Sequence, residues 1–506
     1  MPQFLPRSPR TLTFSLNGDT LLSRLIYHRF KSFAMDQNSK ACSSQTSYKT
    51  PERFRWLGSQ APCFPLDGNQ VSVISKPSDF YKELIKRCQA SIQRITLASL
   101  YLGTGPLEQK LVAAIDQRIQ HSEGNLNVCV LLDYTRSSRG EISSRTLLFP
   151  LISKYQNNCQ VALYHSPNLR GTIKKLLPQR WNELVGLQHM KIYLFDDSVI
   201  ISGANLSNDY FTNRQDRYVL IENCKDLADF LDGLVKRVTD FSFHLNSENN
   251  VALSAAWQGK EHPYLGHKEK FLMSARKHVW DFYSSYITNP MQQSEANTWL
   301  YPFIEMGQLG IQNDSIATKR IIETAPEGAK LNISTGYFNL TQQYSQSIVQ
   351  KSKATFNILM AHPNANGFLG ARGPAGGIPA AYTLLAHRFL TLLRHNSQGH
   401  RVSLWEYQLP GWTYHAKGLW YCLPEENLPS LTLVGSPNFG YRSVYRDLEL
   451  QVALVTTCPD LKKHLGGELS ELNANTSPFP DNVLSLPDRK PPLWVRLVVA
   501  FFKNFF

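Results

Sequence analysis

The sequence predicts a duplicated α/β fold: two mixed-sheet halves, helices on their outer faces, and one active site shared at the interface. Three observations carry this expectation. First, His-x-Lys occurs twice in the same surroundings: His189-Met190-Lys191 precedes Asn205 and Asp216, and His415-Ala416-Lys417 precedes Asn438 and Glu449. Eleven positions separate the Asn from the carboxylate in each copy (216 − 205 and 449 − 438). Second, the order of apolar runs repeats: Ser334 follows Ser99 by 235 positions and His415 follows His189 by 226, the scale of a duplicated unit. Third, short apolar runs alternate with amphipathic helical stretches, the pattern of a sheet covered on both faces.

The first half opens with a strand over Ile95 to Tyr101 that ends in Gly103-Thr104-Gly105, read as a tight strand-to-helix turn near the pocket. A helix from Leu107 to Gln120 follows, then strands over Val128 to Leu132 and Val161 to Tyr164. Lys191 to Phe195 and Val199 to Ser202 form a hairpin around Asp196-Asp197, and Tyr218 to Ile221 closes the half. In the second half, strands over Leu331 to Phe338, Phe356 to Met360, Val402 to Trp405, Leu419 to Leu423, Leu431 to Val434 and Leu450 to Val455 run in the same order. The expected boundaries are a leader over 1–68, a first half over 69–241, an inter-half insertion over 242–300, a second half over 301–490 and a terminal helix over 491–506.

A chain of 506 residues is too long for one small core, and 42% hydrophobic with 11% aromatic residues is a globular composition. The net charge of +13 favours polyanionic partners: nucleic acid, an anionic membrane surface or phosphate-bearing substrates. The eight cysteines form no CxxC pair, which argues against a zinc or redox motif and for buried thiols in a reducing compartment. The first 35 residues are Arg-rich and acid-poor, the composition of a mitochondrial presequence. Nothing reaches the length of an uncharged spanning helix, but Leu493 to Phe506 is aromatic and cationic and reads as an interfacial helix.

Residues two apart on a strand share a face, so each His-x-Lys delivers an imidazole and an ammonium together. Lys191, Lys417, Asn205 and Asn438 are expected to hold non-bridging phosphate oxygens. Asp216 and Glu449 are expected to accept a ring N–H from the histidine of their own half, which fixes the tautomer and leaves the other nitrogen to attack phosphorus or carry a proton. Such a pocket suits the breaking of a phosphodiester bond. No His/Asp/Glu cluster predicts a bound metal.

With these motifs the chain resembles the phospholipase D superfamily, whose signature is His-x-Lys-x4-Asp with a downstream Gly-Ser-x-Asn. The first copy fits through Asp196 and has Ser202-Gly203-Ala204-Asn205, with Gly203 where serine is usual; the second keeps Gly435-Ser436-Pro437-Asn438 but has Cys422 in place of the Asp. The runs Ala98 to Glu108, Asn213 to Tyr218 and Gly435 to Ser443 are similar to the eukaryotic phosphatidylglycerophosphate synthase family. That resemblance implies transfer of a phosphatidyl group from CDP-diacylglycerol to glycerol 3-phosphate at the mitochondrial inner membrane. It implies a phosphatidyl-histidine on His189, with His415 as acid and base. No cofactor is required, though a divalent ion such as Mg²⁺ can accompany the substrate pyrophosphate. Membrane contact is peripheral and no nucleic-acid partner is expected.

Further substrate contacts are expected from Ser436, Arg442, Arg139, Tyr101 and Gly103. The run Gly370 to Gly377 reads as a loop or lid, and His165 and His362 follow matching strands near the pocket. The alternatives are a phospholipase D-type nuclease, a transferase resembling cardiolipin synthase, and a membrane-bound scaffold with a degenerate site.

Overall fold

A computed structural model describes residues 51–176, 182, 185–288 and 295–502. Most of the expected leader lies in residues 1–50, outside the described residues. The leader boundary expected at residue 68 is too late. Glu52–Ser59 forms a 3-10 helix that buries Phe54 and Leu57, and Phe64–Leu66 pairs antiparallel with Thr298–Met306. Those apolar side chains tie the segment into the second half.

Two mixed sheets form the frame. The first runs Val251–Leu253, Phe243–Leu245, Cys159–Tyr164, Asn127–Asp133, Arg94–Ala98, Ile192–Phe195, Ser198–Ser202, Tyr218–Ile221, Val71–Ile74. The second runs Phe64–Leu66, Thr298–Met306, Leu448–Thr456, Leu431–Gly435, Gly418–Cys422, Lys330–Thr335, Thr355–Ala361, Val402–Tyr407, Thr476–Pro478. Six central strands of each sheet appear in the same order and with the same parallel and antiparallel pairings, as the repeat predicts.

Period-two alternation decides the packing. On Ile192–Phe195, Ile192 and Leu194 enter the core shared with the second half, while Tyr193 and Phe195 face a second core. Helices Pro77–Ala90, Pro106–Gln120 and Ser144–Lys154 cover that second core, the first two starting with Pro at the first turn, where no N–H is needed.

The stretch 242–300 is not an insertion. Phe243–Leu245 pairs with Cys159–Tyr164 and extends the first sheet, and Thr298–Met306 is a buried strand of the second. Between them, helix Lys268–Thr288 buries Phe271, Ala275, Val279 and Tyr283, one every turn. The outer face of this helix carries Lys270, Lys277, Asp281 and Ser285, which hides the apolar stripe within a polar composition.

The C-terminal helix Leu493–Phe502 buries Val495 and Val499 against Ala381 and Leu384 of helix Ile378–His395. Its opposite face leaves Leu493, Trp494, Leu497 and Phe501 exposed at 73%, 45%, 54% and 77%. Among the described residues, no helix is long and apolar enough to cross a membrane. All seven described cysteines are free thiols and six are buried; Cys42 lies outside the described residues.

Candidate active site

The two halves meet along short backbone pairings that set the site. Arg214–Gln215 pairs in parallel with Thr413–Tyr414, and Gln188 bridges Leu448. The His415 amide donates to Gln215 O at 2.8 Å, and the His189 amide donates to Leu448 O at 2.8 Å. Each histidine thus lies beside the residue that precedes the carboxylate of the other half.

The carboxylates therefore cross over. His189 Nδ1 lies 2.9 Å from Glu449 Oε2, and His415 Nδ1 lies 2.6 Å from Asp216 Oδ2. This corrects the expectation that each carboxylate serves its own half. Equal spacing along the chain fixes symmetry but not which partner a strand end meets.

The lysines back the rings. Lys191 Nζ donates to His189 O at 2.7 Å. Lys417 Nζ lies 2.9 and 3.0 Å from the two ring nitrogens of His415. Closeness to both nitrogens at once is the position of an ammonium against the ring face, not in its plane.

The two histidines are not equivalent. Tyr210 Oη lies 3.2 Å from His415 Nε2, and Asn205 Nδ2 donates to Tyr210 Oη at 3.1 Å. Tyr210 and Tyr337 flank the His415 ring edge-on, with centroids at 5.1 and 5.4 Å. His189 Nε2 has no such partner among the described residues, and its side chain is 13% exposed against 5% for His415.

Burial sets the protonation states. It holds both imidazoles well below their usual range, with Lys191 adding to the effect at His189 and Lys417 at His415. The rings are neutral at physiological pH, so the carboxylate contacts are hydrogen bonds of a neutral imidazole. Burial raises Asp216 to about 6 against the pull of Lys417, and lowers Lys417 to about 8 against that of Asp216. Glu449 is raised by burial, opposed by Lys191.

Several expected site residues serve the frame instead. Asp196 stands at the far end of Ile192–Phe195 from His189, with φ 51°, and accepts from the amides of Ile92, Gln93 and Arg94 at 2.7–3.0 Å. It locks the hairpin turn and is corrected to a structural role. Near the missing counterpart at Cys422, Glu426 binds Lys462 at 2.9 Å, not strand-leading amides. Ser436 has no exposed surface and holds the Leu450 peptide, accepting from its N–H at 3.1 Å. It braces the residue next to Glu449 and is corrected from a substrate contact. Gly103 is also corrected: a Cβ there would collide with Glu108, so its lack of a side chain allows close packing. Gly203 replaces serine for a related reason, since a Cβ would lie 2.6 Å from Asp216 Oδ1.

Arg442 is half-buried, pairs with Asp447 at 3.2 Å and depresses the His189 imidazole, which places it beside the nucleophile candidate. Tyr101 lies 3.1 Å from Ser207 with Arg136 over its ring at 4.1 Å. Arg139 is half-buried in the loop after the turn Tyr134–Ser137. His165 packs 4.3 Å from the Tyr264 ring, and His362 contacts Arg489 at 3.0 Å; both lie outside the cluster just described. In the run Gly370 to Gly377, Gly373–Gly377 forms a 3-10 turn ahead of Ile378–His395.

His189, Asp447 and Glu449 bring ligand atoms within 4.8 Å of one another. Glu449 accepts from His189 through Oε2, and Asp447 accepts from Leu187 N and Arg442, while Glu449 Oε1 has no hydrogen-bond partner among the described residues. Lys191 and Arg442 put positive charge beside this set. Sequence reasoning missed Tyr210, Tyr337 and Asp447, which carry no motif and reach the site only through folding.

No family model matches the chain. The chain is 43% identical over 486 residues to the mitochondrial CDP-diacylglycerol–glycerol-3-phosphate 3-phosphatidyltransferase of Gallus gallus, covering 90% of this chain and 86% of that one. It is 42% identical over 482 residues to the Homo sapiens protein of that name, with the same coverage. With the Schizosaccharomyces pombe protein the identity is 32% over 491 residues, covering 88% and 95%. The crystal structure of the phosphatidylserine synthase of Haemophilus influenzae superposes with a TM-score of 0.68 at 20% identity, covering 90% of this chain and 97% of that one, which shows a shared fold. The chain thus belongs to the CDP-diacylglycerol–glycerol-3-phosphate 3-phosphatidyltransferase family.

Proposed function

We infer that the chain transfers a phosphatidyl group from CDP-diacylglycerol to glycerol 3-phosphate, releasing CMP and forming phosphatidylglycerophosphate. The observation that carries this is 43% identity across 90% of the chain to an enzyme of that name. The convergence of both histidines, both lysines and both carboxylates at one interface supports it.

The reaction is ping-pong. His189 presents the more exposed, neutral ring with Nδ1–H held by Glu449, so Nε2 carries the attacking lone pair. It attacks the diacylglycerol-linked phosphorus, the P–N bond forms, and the P–O bond to CMP breaks. The acceptor hydroxyl then attacks the phosphatidyl-histidine, its proton passes to the His415 side, and the P–N bond breaks. Lys191, Lys417, Asn205 and Asn438 stabilise the non-bridging oxygens. Arg442, with Arg139 as second candidate, takes the acceptor phosphate, and Tyr101 lines the approach.

The step itself runs on protein groups, and a divalent ion such as Mg²⁺ accompanies the substrate pyrophosphate. Chelation should then raise the apparent KM for CDP-diacylglycerol and leave the site intact. The protein acts in the mitochondrion, peripherally on the inner membrane, with the exposed apolar face of Leu493–Phe502 against the lipid; the relatives' names and that face support this reading. One assay tests the whole: CMP release from CDP-diacylglycerol with and without glycerol 3-phosphate. Acceptor-independent hydrolysis, or turnover with serine or phosphatidylglycerol in its place, would overturn it.

A further inference from the structure

The directions of the Asp216 and Tyr210 hydrogen bonds to the His415 ring can be fixed. Asp216 is ionised at neutral pH and accepts, so His415 Nδ1 carries the ring proton and Nε2 is an acceptor. Tyr210 must then donate its hydroxyl proton to Nε2 across 3.2 Å. Its oxygen is left to accept from Asn205 Nδ2 at 3.1 Å. This ordering also orients the Asn205 amide: its Oδ1 is buried without a hydrogen-bond partner among the described residues. The tyrosine oxygen faces this amide and the Arg214 guanidinium. His189 has no tyrosine in the corresponding position among the described residues, so this feature breaks the symmetry of the site.

We propose that Tyr210 is the proton relay between the acceptor hydroxyl and His415, and that by occupying His415 Nε2 it reserves that ring for base chemistry and leaves nucleophilic attack to His189. In the second half-reaction the acceptor O–H proton moves to Tyr210 Oη as the Tyr210 proton moves to His415 Nε2. The new O–P bond forms and the His189 Nε2–P bond breaks. Asp216 stabilises the resulting imidazolium. The relay matters less in the first half-reaction, because departing CMP is a phosphate monoester with a second pKa near ~6 and leaves without strong acid assistance. An alcohol must lose its proton to attack.

This proposal rests on the ping-pong reading. Tyr210→Phe keeps the ring and its packing but removes the proton. Its steady-state kcat should fall by about 10²-fold, with KM for glycerol 3-phosphate little changed, while the rate of CMP burst falls by less than tenfold. Labelled phosphatidyl group should accumulate on His189 before acceptor is added. A second variant, 3-fluorotyrosine at 210, retains the fold and makes the hydroxyl more acidic; the pH profile of turnover should move with it. Wild-type turnover in Tyr210→Phe, equal loss of burst and turnover, or an unmoved profile in the fluorotyrosine protein would overturn the relay. Absence of a burst in the wild-type enzyme would instead overturn the ping-pong reading.

Discussion

Replacing Glu449 by Gln should abolish the phosphatidyl-enzyme, whereas replacing Asp216 by Asn should leave it forming. The reasoning follows from the crossed contacts. Glu449 Oε2 lies 2.9 Å from His189 Nδ1, and the carboxylate is fully buried. The ring is neutral, so this one bond keeps the proton on Nδ1 and the lone pair on Nε2. A glutamine amide can turn its NH2 towards Nδ1, driving the proton to Nε2 and blocking attack. A wrong tautomer of this kind costs about 10⁴-fold in rate, or roughly 5.5 kcal/mol of barrier. Asp216→Asn makes the same change at His415 and should slow transfer to the acceptor instead. The assay is rapid quench with CDP-diacylglycerol labelled in its phosphatidyl phosphate. Label on protein and CMP released are counted before and after glycerol 3-phosphate is added. Label retained in Glu449→Gln and lost in Asp216→Asn would refute the crossed arrangement and restore pairing within each half.

Three further outcomes are expected. Turnover should be bell-shaped in pH: it falls as pH drops through about 6, where Asp216 protonates and releases the His415 N–H, and falls as pH rises through about 8, where Lys417 loses its charge; a flat profile from 5 to 9 would contradict both assignments. Leu497→Glu with Phe501→Glu should leave the melting temperature unchanged, because both side chains are exposed, yet reduce flotation with anionic vesicles at least about tenfold, each lost apolar side chain being worth ~1.5–3 kcal/mol in lipid. Arg217→Met should destabilise by about 3–5 kcal/mol in urea titration, because Arg217 binds Glu468 through two bonds of 2.8 Å across the halves and its loss leaves that carboxylate buried; adding Glu468→Leu should restore most of the loss.

Much of the frame is legible in sequence because it depends on local pattern. Tyr218–Ile221 falls where expected, and Pro106–Gln120 and Leu448–Thr456 lie within two residues of their expected bounds. Thr298–Met306 escaped because it follows a polar-rich stretch, although the four-residue spacing of Phe271, Ala275, Val279 and Tyr283 already marks the helix before it. Asp196 is a motif residue whose carboxylate serves backbone amides at the hairpin turn, at the end of its strand away from His189. Gly203 looks like a degenerate motif until the Asp216 carboxylate is seen beside it.

The sequence by itself determined that two imidazole–ammonium pairs exist and that each shares one face of an extended segment, since alternation along a strand is a property of the backbone alone. Only the tertiary structure decided which carboxylate each imidazole meets and that Tyr210 sits on one ring. Those pairings join residues 199 to 260 positions apart across the seam between the halves, where the docking of one backbone on another, not the spacing along either, sets the partner.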